Sequence, residues 1–241
     1  MVKVLAINSS PYMNKGNTDR LLTPFIEGMK ESGAEVELLY TKKLKINPCQ
    51  AEYACVMKTP GKCFQKDDMQ MLIPKLGEAD IWVFASPVYW ENVPGPMKNL
   101  IDRTIPLMYP ALELRDGHCR YPVREGVKRG KLVLVSTCGW WEMDNFDLMV
   151  AQMKGLCKNL EREFAGALLR PHGALKQMVE MGMPLDDIFE AAREAGRQLI
   201  DEGKMSDENL RTISRELVTL EMFVDFAKQE AQRMMEEAEK K

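Results

Sequence analysis

The chain has 241 residues, with 33 Lys and Arg against 36 Asp and Glu, and a formal net charge of -3. That length suits one well-buried core with embellishments, and the mixed signs, with no basic block beyond a short run near Arg124, argue against a nucleic-acid surface. No stretch approaches the roughly 20 apolar residues of a membrane span, so the chain is expected to be cytoplasmic and its six cysteines to be thiols, metal ligands or redox groups rather than structural disulfides.

Short apolar runs rich in β-branched residues predict strands at 2–7, 36–40, 81–85, 132–136 and 164–169. Amphipathic stretches between them predict helices at 17–32, 67–76, 95–105 and 145–163. Parallel strands need crossover connections, and right-handed crossovers place helices on both faces of the sheet. The expected fold is therefore α/β, a flavodoxin-like doubly wound five-stranded parallel sheet whose ligand site lies beyond the carboxyl ends of the strands. Two long segments interrupt the alternation, 42–66 and 106–130, and loops of this length are usually functional or carry structure of their own. The tail from Leu185 reads as two helices, the second carrying Ile213, Leu217, Leu220, Val224 and Ala227 at four- and three-residue spacing. Such a helix packs on its own domain or forms a subunit contact.

Three loops following strands carry the chemistry. The first, in AINSSPYMNKGNTDRLL (6–22), supplies hydroxyl and amide side chains, a glycine and free backbone N–H groups where a helix begins. A helix N-terminus has unpaired donors and a partial positive charge, which suits a phosphate. Neither the dinucleotide glycine fingerprint nor a P-loop is present, so a monophosphate such as that of FMN fits better. The second, in FASPVYWENVPGPMKNLIDR (84–103), sets Tyr89, Trp90 and Asn92 between a strand and a helix with prolines near its start, offering apolar faces and backbone polar groups to a flat ring. The third is STCGWWE (136–142), in which Trp140 and Trp141 are candidates for shaping a pocket over that ring.

Together with INPCQAEYACVMKTPGKCFQKDDM, these pieces resemble, in the same order, the NAD(P)H-dependent FMN reductases and iron–sulfur flavoproteins of the flavodoxin-like superfamily. The resemblance implies an FMN phosphate held at Ser10, Tyr12, Gly16, Asn17 and Thr18. It implies a flavin lined by Pro87, Val88, Tyr89, Trp90 and Asn92, with Thr137, Cys138 and Gly139 near the ring's polar edge. It also implies a homodimer or larger assembly with the flavin close to a subunit boundary. On this reading 1–175 is the FMN-binding domain and 176–241 a helical extension packed on it or on a partner subunit.

Members that hold a [4Fe–4S] cluster carry a compact C-x-x-C-x-x-C and a fourth cysteine. This chain has Cys49, Cys55 and Cys63 in three of those places and Glu52 in the other. A cluster with an unusual fourth ligand such as Glu52 or Cys119, a segment without metal, and a thiol pair or zinc site all stand open here. Lys58, Lys62 and Lys66 nearby are expected to favour thiolate and so sensitivity to oxidation. His118 and His172 lack the companions of a metal or triad motif. The function implied is an FMN-dependent oxidoreductase that takes hydride from NAD(P)H and reduces a small acceptor such as a quinone, nitroaromatic or flavin. The alternative is an electron carrier exchanging electrons with ferredoxin or another redox protein. Hydride transfer requires no side-chain acid or base, and no catalytic residue is assigned.

Overall fold

A computed structural model describes residues 1–239. In chain order the strands are β1 (Lys3–Asn8), β2 (Glu35–Tyr40), β3 (Ile81–Pro87), β4 (Glu113–Arg115), β5 (His118–Arg120), β6 (Lys131–Thr137) and β7 (Glu163–Arg170). The helices are α1 (Asn17–Glu31), α2 (Ala54–Met57), α3 (Met69–Glu78), α4 (Gly95–Asp102), α5 (Asp147–Asn159), α6 (Leu175–Glu180), α7 (Asp186–Asp201), α8 (Asp207–Ser214) and α9 (Leu220–Glu239). Five strands form one parallel sheet in the order β2-β1-β3-β6-β7, so the flavodoxin-like reading holds, and each expected strand lies within one of them or overlaps it closely. No helix among the described residues is long and apolar enough to cross a membrane.

The central strands are hydrophobic on both faces because both are covered. Alternate residues of β1, β3 and β6 point to opposite sides: Ala6, Val83 and Val133 pack under α1 and α7, while Ile7, Phe84 and Leu134 pack under α3, α4 and α5. The long segment 106–130 contains the β4–β5 hairpin, whose turn residues Asp116 and Gly117 both have positive φ, the geometry of a tight two-residue hairpin turn.

The tail departs from the expectation of two helices. Three follow residue 185, because α8 stops at Ser214 and the chain turns extended at Arg215 before α9 begins at Leu220. The stop is built by a buried arginine: Arg170 donates to the carbonyls of Ile213 and Arg215, each at 2.7 Å, and the Ser214 hydroxyl donates to Leu169 O at 2.9 Å. The regular apolar spacing from Ile213 to Ala227 therefore spans two elements. Ile213 and Leu217 pack on the core, whereas Leu220, Val224 and Ala227 are exposed.

Helices α1 and α7 approach closely through glycine. A Cβ on Gly28 would lie 1.9 Å from Arg193 O, and one on Gly196 would lie 2.1 Å from Phe25 O. Backbone cannot yield locally here, so Gly28→Ala or Gly196→Ala should destabilise the protein by about 1–3 kcal/mol, read as a lower urea midpoint with an unchanged slope.

Candidate functional site

Parallel pairing puts the carboxyl ends of β1, β3 and β6 side by side, so the three expected loops emerge at one edge of the sheet. Ser9 N donates to Ala85 O at 2.8 Å, joining the first loop to the end of β3. Val88 N donates to Thr137 O at 2.9 Å, joining the second loop to the end of β6. Thr18 Oγ1 and Thr137 Oγ1 share a buried hydrogen bond of 2.8 Å, joining the first turn of α1 to β6.

The first loop is preshaped. Ser10 N donates to Asn8 Oδ1 at 2.8 Å, while Asn8 Nδ2 donates to Asp19 Oδ1 at 3.1 Å. Tyr40 OH reaches the same Asp19 oxygen at 2.9 Å, and burial followed by the Asp19 carboxylate pushes the Tyr40 phenol up to about 12. Gly16 caps α1 with extended backbone, and a Cβ there would stand 2.6 Å from Ser10 Oγ and 3.3 Å from Tyr12 Cβ, so glycine keeps the concavity between them open. Ser10 and Thr18 are buried, Tyr12 is exposed, and Asn17 Oδ1 accepts from Lys176 N at 2.9 Å, which fixes the first turn of α6 against α1. Asn8, Asp19 and Tyr40 escape a motif reading because each belongs to a strand or helix, and their convergence is tertiary.

The second loop is a two-residue hairpin turn. Tyr89 and Asn92 exchange both backbone hydrogen bonds, and Trp90 and Glu91 between them have φ of 48° and 58°. Non-glycine residues in the left-handed region carry strain, and the result projects the Trp90 side chain fully into solvent, 101% exposed, beside the half-exposed Tyr89. Asn92 Oδ1 accepts from Val93 N at 2.8 Å, while Pro87 and Val88 are half-buried beneath the turn.

In the third loop Cys138 is buried, its thiol pushed up by that burial, and Gly139 faces open space. Trp140 is exposed on the rim. Trp141 instead turns toward the tail, its Nε1 donating to Val218 O at 3.1 Å and its ring stacking 6.3 Å from His172. His172 N donates to Trp140 O at 2.6 Å, and Arg170 Nη2 donates to His172 Nε2 at 2.9 Å. The imidazole is thus held neutral, as the acceptor of a guanidinium, and burial followed by the Arg170 charge lowers it to about 4. It is a support of the third loop rather than a metal ligand.

The cysteine segment lies apart. Cys49 is exposed, Cys55 sits half-buried on α2, and half-buried Cys63 accepts a hydrogen bond from Arg103 Nη2 at 3.3 Å. Arg103 and Asp67 form a fully buried ion pair, and Asp67 also accepts from Asn47 N and Met69 N. Burial raises the Asp67 carboxyl, but Arg103 and these donors outweigh it and hold it below its ordinary range. The lysine expectation fails at Cys55: burial, then the neighbouring thiols Cys63 and Cys49, push its thiol up, disfavouring thiolate. Glu52 Oε2 accepts from Ala54 N at 3.0 Å and so caps α2. Among the described residues no three His, Cys, Asp or Glu side chains stand together, and Glu52 and Cys63 are already engaged by protein groups.

At the three loops, by contrast, the residues fit FMN: backbone donors and hydroxyls at a helix N-terminus for the phosphate, and a rim of aromatics for the ring. Comparison with known proteins points to the same cofactor. The model of the family described as NADPH-dependent FMN reductase matches residues 2–140. An iron–sulfur flavoprotein of Archaeoglobus fulgidus is 39% identical over 129 residues, which are 54% of this chain and 62% of that protein, so the match spans less than two thirds of the relative. Among solved structures, an FMN-dependent NADH-azoreductase from Bacillus anthracis in complex with FMN superposes with a TM-score of 0.62 at 14% identity, covering 83% of this chain and 100% of the other. An NAD(P)H:quinone oxidoreductase from Methanothermobacter marburgensis gives 0.57 at 20% identity, covering 82% and 94%. At these identities the two structures establish the fold alone.

Two outcomes test this site. Thr18→Val keeps the shape and removes the hydroxyl, and should weaken FMN binding about 10- to 100-fold, the equivalent of about 1.5–3 kcal/mol for a hydrogen bond to a charged group, measured by flavin titration of the apoprotein. Because His172 is held near 4 in the fold against 6.5 when free, the unfolded chain binds the proton first as pH falls. Stability should therefore be full above about pH 6.5 and decline by about 3 kcal/mol toward pH 4, with His172→Gln flattening that part of the urea-midpoint profile.

Proposed function

The chain belongs to the NADPH-dependent FMN reductase family, and from that membership we propose that it is an FMN-dependent NAD(P)H oxidoreductase acting on a small electron acceptor. The observation that carries the proposal is the junction at Thr137, where one residue ties the phosphate-type loop to the two ring-type loops. FMN, when bound, supplies the redox chemistry: hydride taken from NAD(P)H and electrons given to a quinone, nitroaromatic, flavin or another small metabolite.

The protein's part is placement. Backbone N–H groups of the first loop, the hydroxyls of Ser10 and Thr18 and the amide of Asn17 hold the phosphate, with Gly16 allowing close approach. Pro87 and Val88 support the ring from below, and Tyr89, Trp90 and Asn92 frame it. The backbone at Thr137, Cys138 and Gly139 meets its polar edge, where the open space beside Gly139 leaves room. Holding two reactants in register removes entropy from the barrier, and this chemistry needs no protein acid or base. We place the protein in the cytoplasm as a homodimer or larger homo-oligomer.

A second reading, electron exchange with ferredoxin or another redox protein, is favoured by one observation: three cysteines remain in one short segment. Both readings meet the same experiment, visible absorption with iron and acid-labile sulfide analysis on protein purified without oxygen. Flavin bands with negligible iron, bleached rapidly by NADH or NADPH, are expected. Stoichiometric iron and sulfide would shift the function to electron transfer, and a colourless protein that takes up no FMN would overturn both.

A further inference from the structure

The long segment 106–130 and Cys119 take no part in the function proposed above, yet they border a cavity of about 570 Å³. Its apolar walls come from three directions: Ile101 and Ile105 at the end of α4 and just beyond it, Leu156 and Leu160 at the end of α5, and Met108 and Leu112 ahead of β4. Cys49 and Cys119, both exposed, also line it. Helix α4 starts after the second ring-type loop and α5 after the third, whereas the cavity lies at the far ends of both helices. Along the eight residues of α4 that separation is roughly 12 Å, so this is a different place from the three loops.

The β4–β5 hairpin is held to the end of α5 by polar contacts. Arg115 Nη2 donates to the carbonyls of Lys158 and Asn159 at 3.2 and 3.3 Å, and Arg120 Nη1 donates to Asn159 Oδ1 at 2.6 Å. The charges at the cavity are unequal. Asp102, which lines it, is met by Lys98 Nζ at 2.6 Å, and Glu113, opposite Arg120 in the hairpin, is met by Arg115 at 2.9 Å. Arg120 also lines the cavity but meets no carboxylate among the described residues, and its bond to Asn159 leaves its remaining donors open. Aliphatic walls around this volume suit the body of a small molecule. A guanidinium without a counter-ion at their edge suits a carboxylate, which it can meet with two parallel charge-assisted hydrogen bonds.

We propose that this cavity is a second ligand site, for an aliphatic monocarboxylate. The hydrocarbon body lies between the ends of α4 and α5 and the hairpin, and the carboxylate meets Arg120. Nothing in this site depends on a bound flavin.

The test uses the full chain with decanoate, octanoate and the neutral octanol as probes. Calorimetric titration should give a Kd of about 1 mM or below for octanoate, and a value about tenfold tighter for decanoate from its two extra methylenes. Arg120 belongs to neither hydrophobic core cluster, so the body folds without its side chain. Arg120→Met should weaken decanoate about 10- to 100-fold, the loss of a hydrogen bond to a charged group, and leave octanol within about threefold. A second measurement needs no variant, because the two cysteines report on the cavity. At ten times its Kd, decanoate should slow iodoacetamide alkylation of Cys49 and Cys119 about tenfold, read peptide by peptide by mass spectrometry. Cys55, which does not line the cavity, should react at an unchanged rate. Absence of decanoate binding below about 10 mM, an unchanged decanoate affinity in Arg120→Met, equal weakening of octanol, or bound decanoate that leaves Cys49 and Cys119 unprotected would each overturn the site.

Discussion

Much of this molecule is organised around the hydrogen bonding of Thr137. It ends the fourth strand of the parallel sheet, it is almost wholly buried, and it presents two groups to two different loops. Its carbonyl receives Val88 N from the loop after β3, and its hydroxyl meets that of Thr18 in the first turn of α1. Buried polar groups are costly unless paired, so these contacts also set the spacing between loops. The parallel sheet makes the arrangement available, because every strand delivers its carboxyl end to the same edge.

Behind the third loop, a buried cation does comparable work without a carboxylate. Arg170 is fully buried, and its guanidinium is satisfied by the carbonyls of Pro171, Ile213 and Arg215 and by the His172 ring. The Arg170 side chain therefore ends α8 and holds the imidazole as an acceptor, while its backbone carbonyl accepts from Cys138 N at 3.0 Å and ties the third loop to β7. The third loop and the root of α9 are consequently one structural unit. This coupling is why the C-terminal helix leaves the body beside the candidate site.

The cysteine segment follows another logic. Glu52 and Cys63 are already engaged, the former by the α2 backbone and the latter by Arg103, while Arg103 itself is paired with buried Asp67. Removing either partner of that pair would leave an uncompensated buried charge, which is far more costly than the pair is stabilising. The segment is held to the body by this pair, by Arg103 donating to Asn47 O and by Asn99 donating to Ile46 O.

The strands, the α/β class and the three loops were legible in the amino-acid sequence because each depends on local pattern: runs of β-branched residues, amphipathic spacing, and glycine, proline and hydroxyl residues at strand ends. Ser10, Gly16, Thr18, Tyr89 and Trp90 could be singled out for the same reason, since residue type and position after a strand are properties of the linear chain. The roles of Asn8, Asp19 and Tyr40 could not, because residues far apart must first be brought together by the sheet. The break between Ile213 and Leu220 was likewise invisible, as the unbroken apolar spacing gives no sign of an arginine 43 residues upstream taking the carbonyl of Ile213. Composition also misjudged Cys55: three lysines close in sequence suggested thiolate, and burial decided the opposite. Sequence alone determined the five strands of the sheet, the helices between them and which loops carry polar and aromatic groups, because those are short-range preferences. The tertiary structure decided which groups meet, which charges are buried and which helix stays largely exposed among the described residues, because those depend on distances that only the packed chain defines.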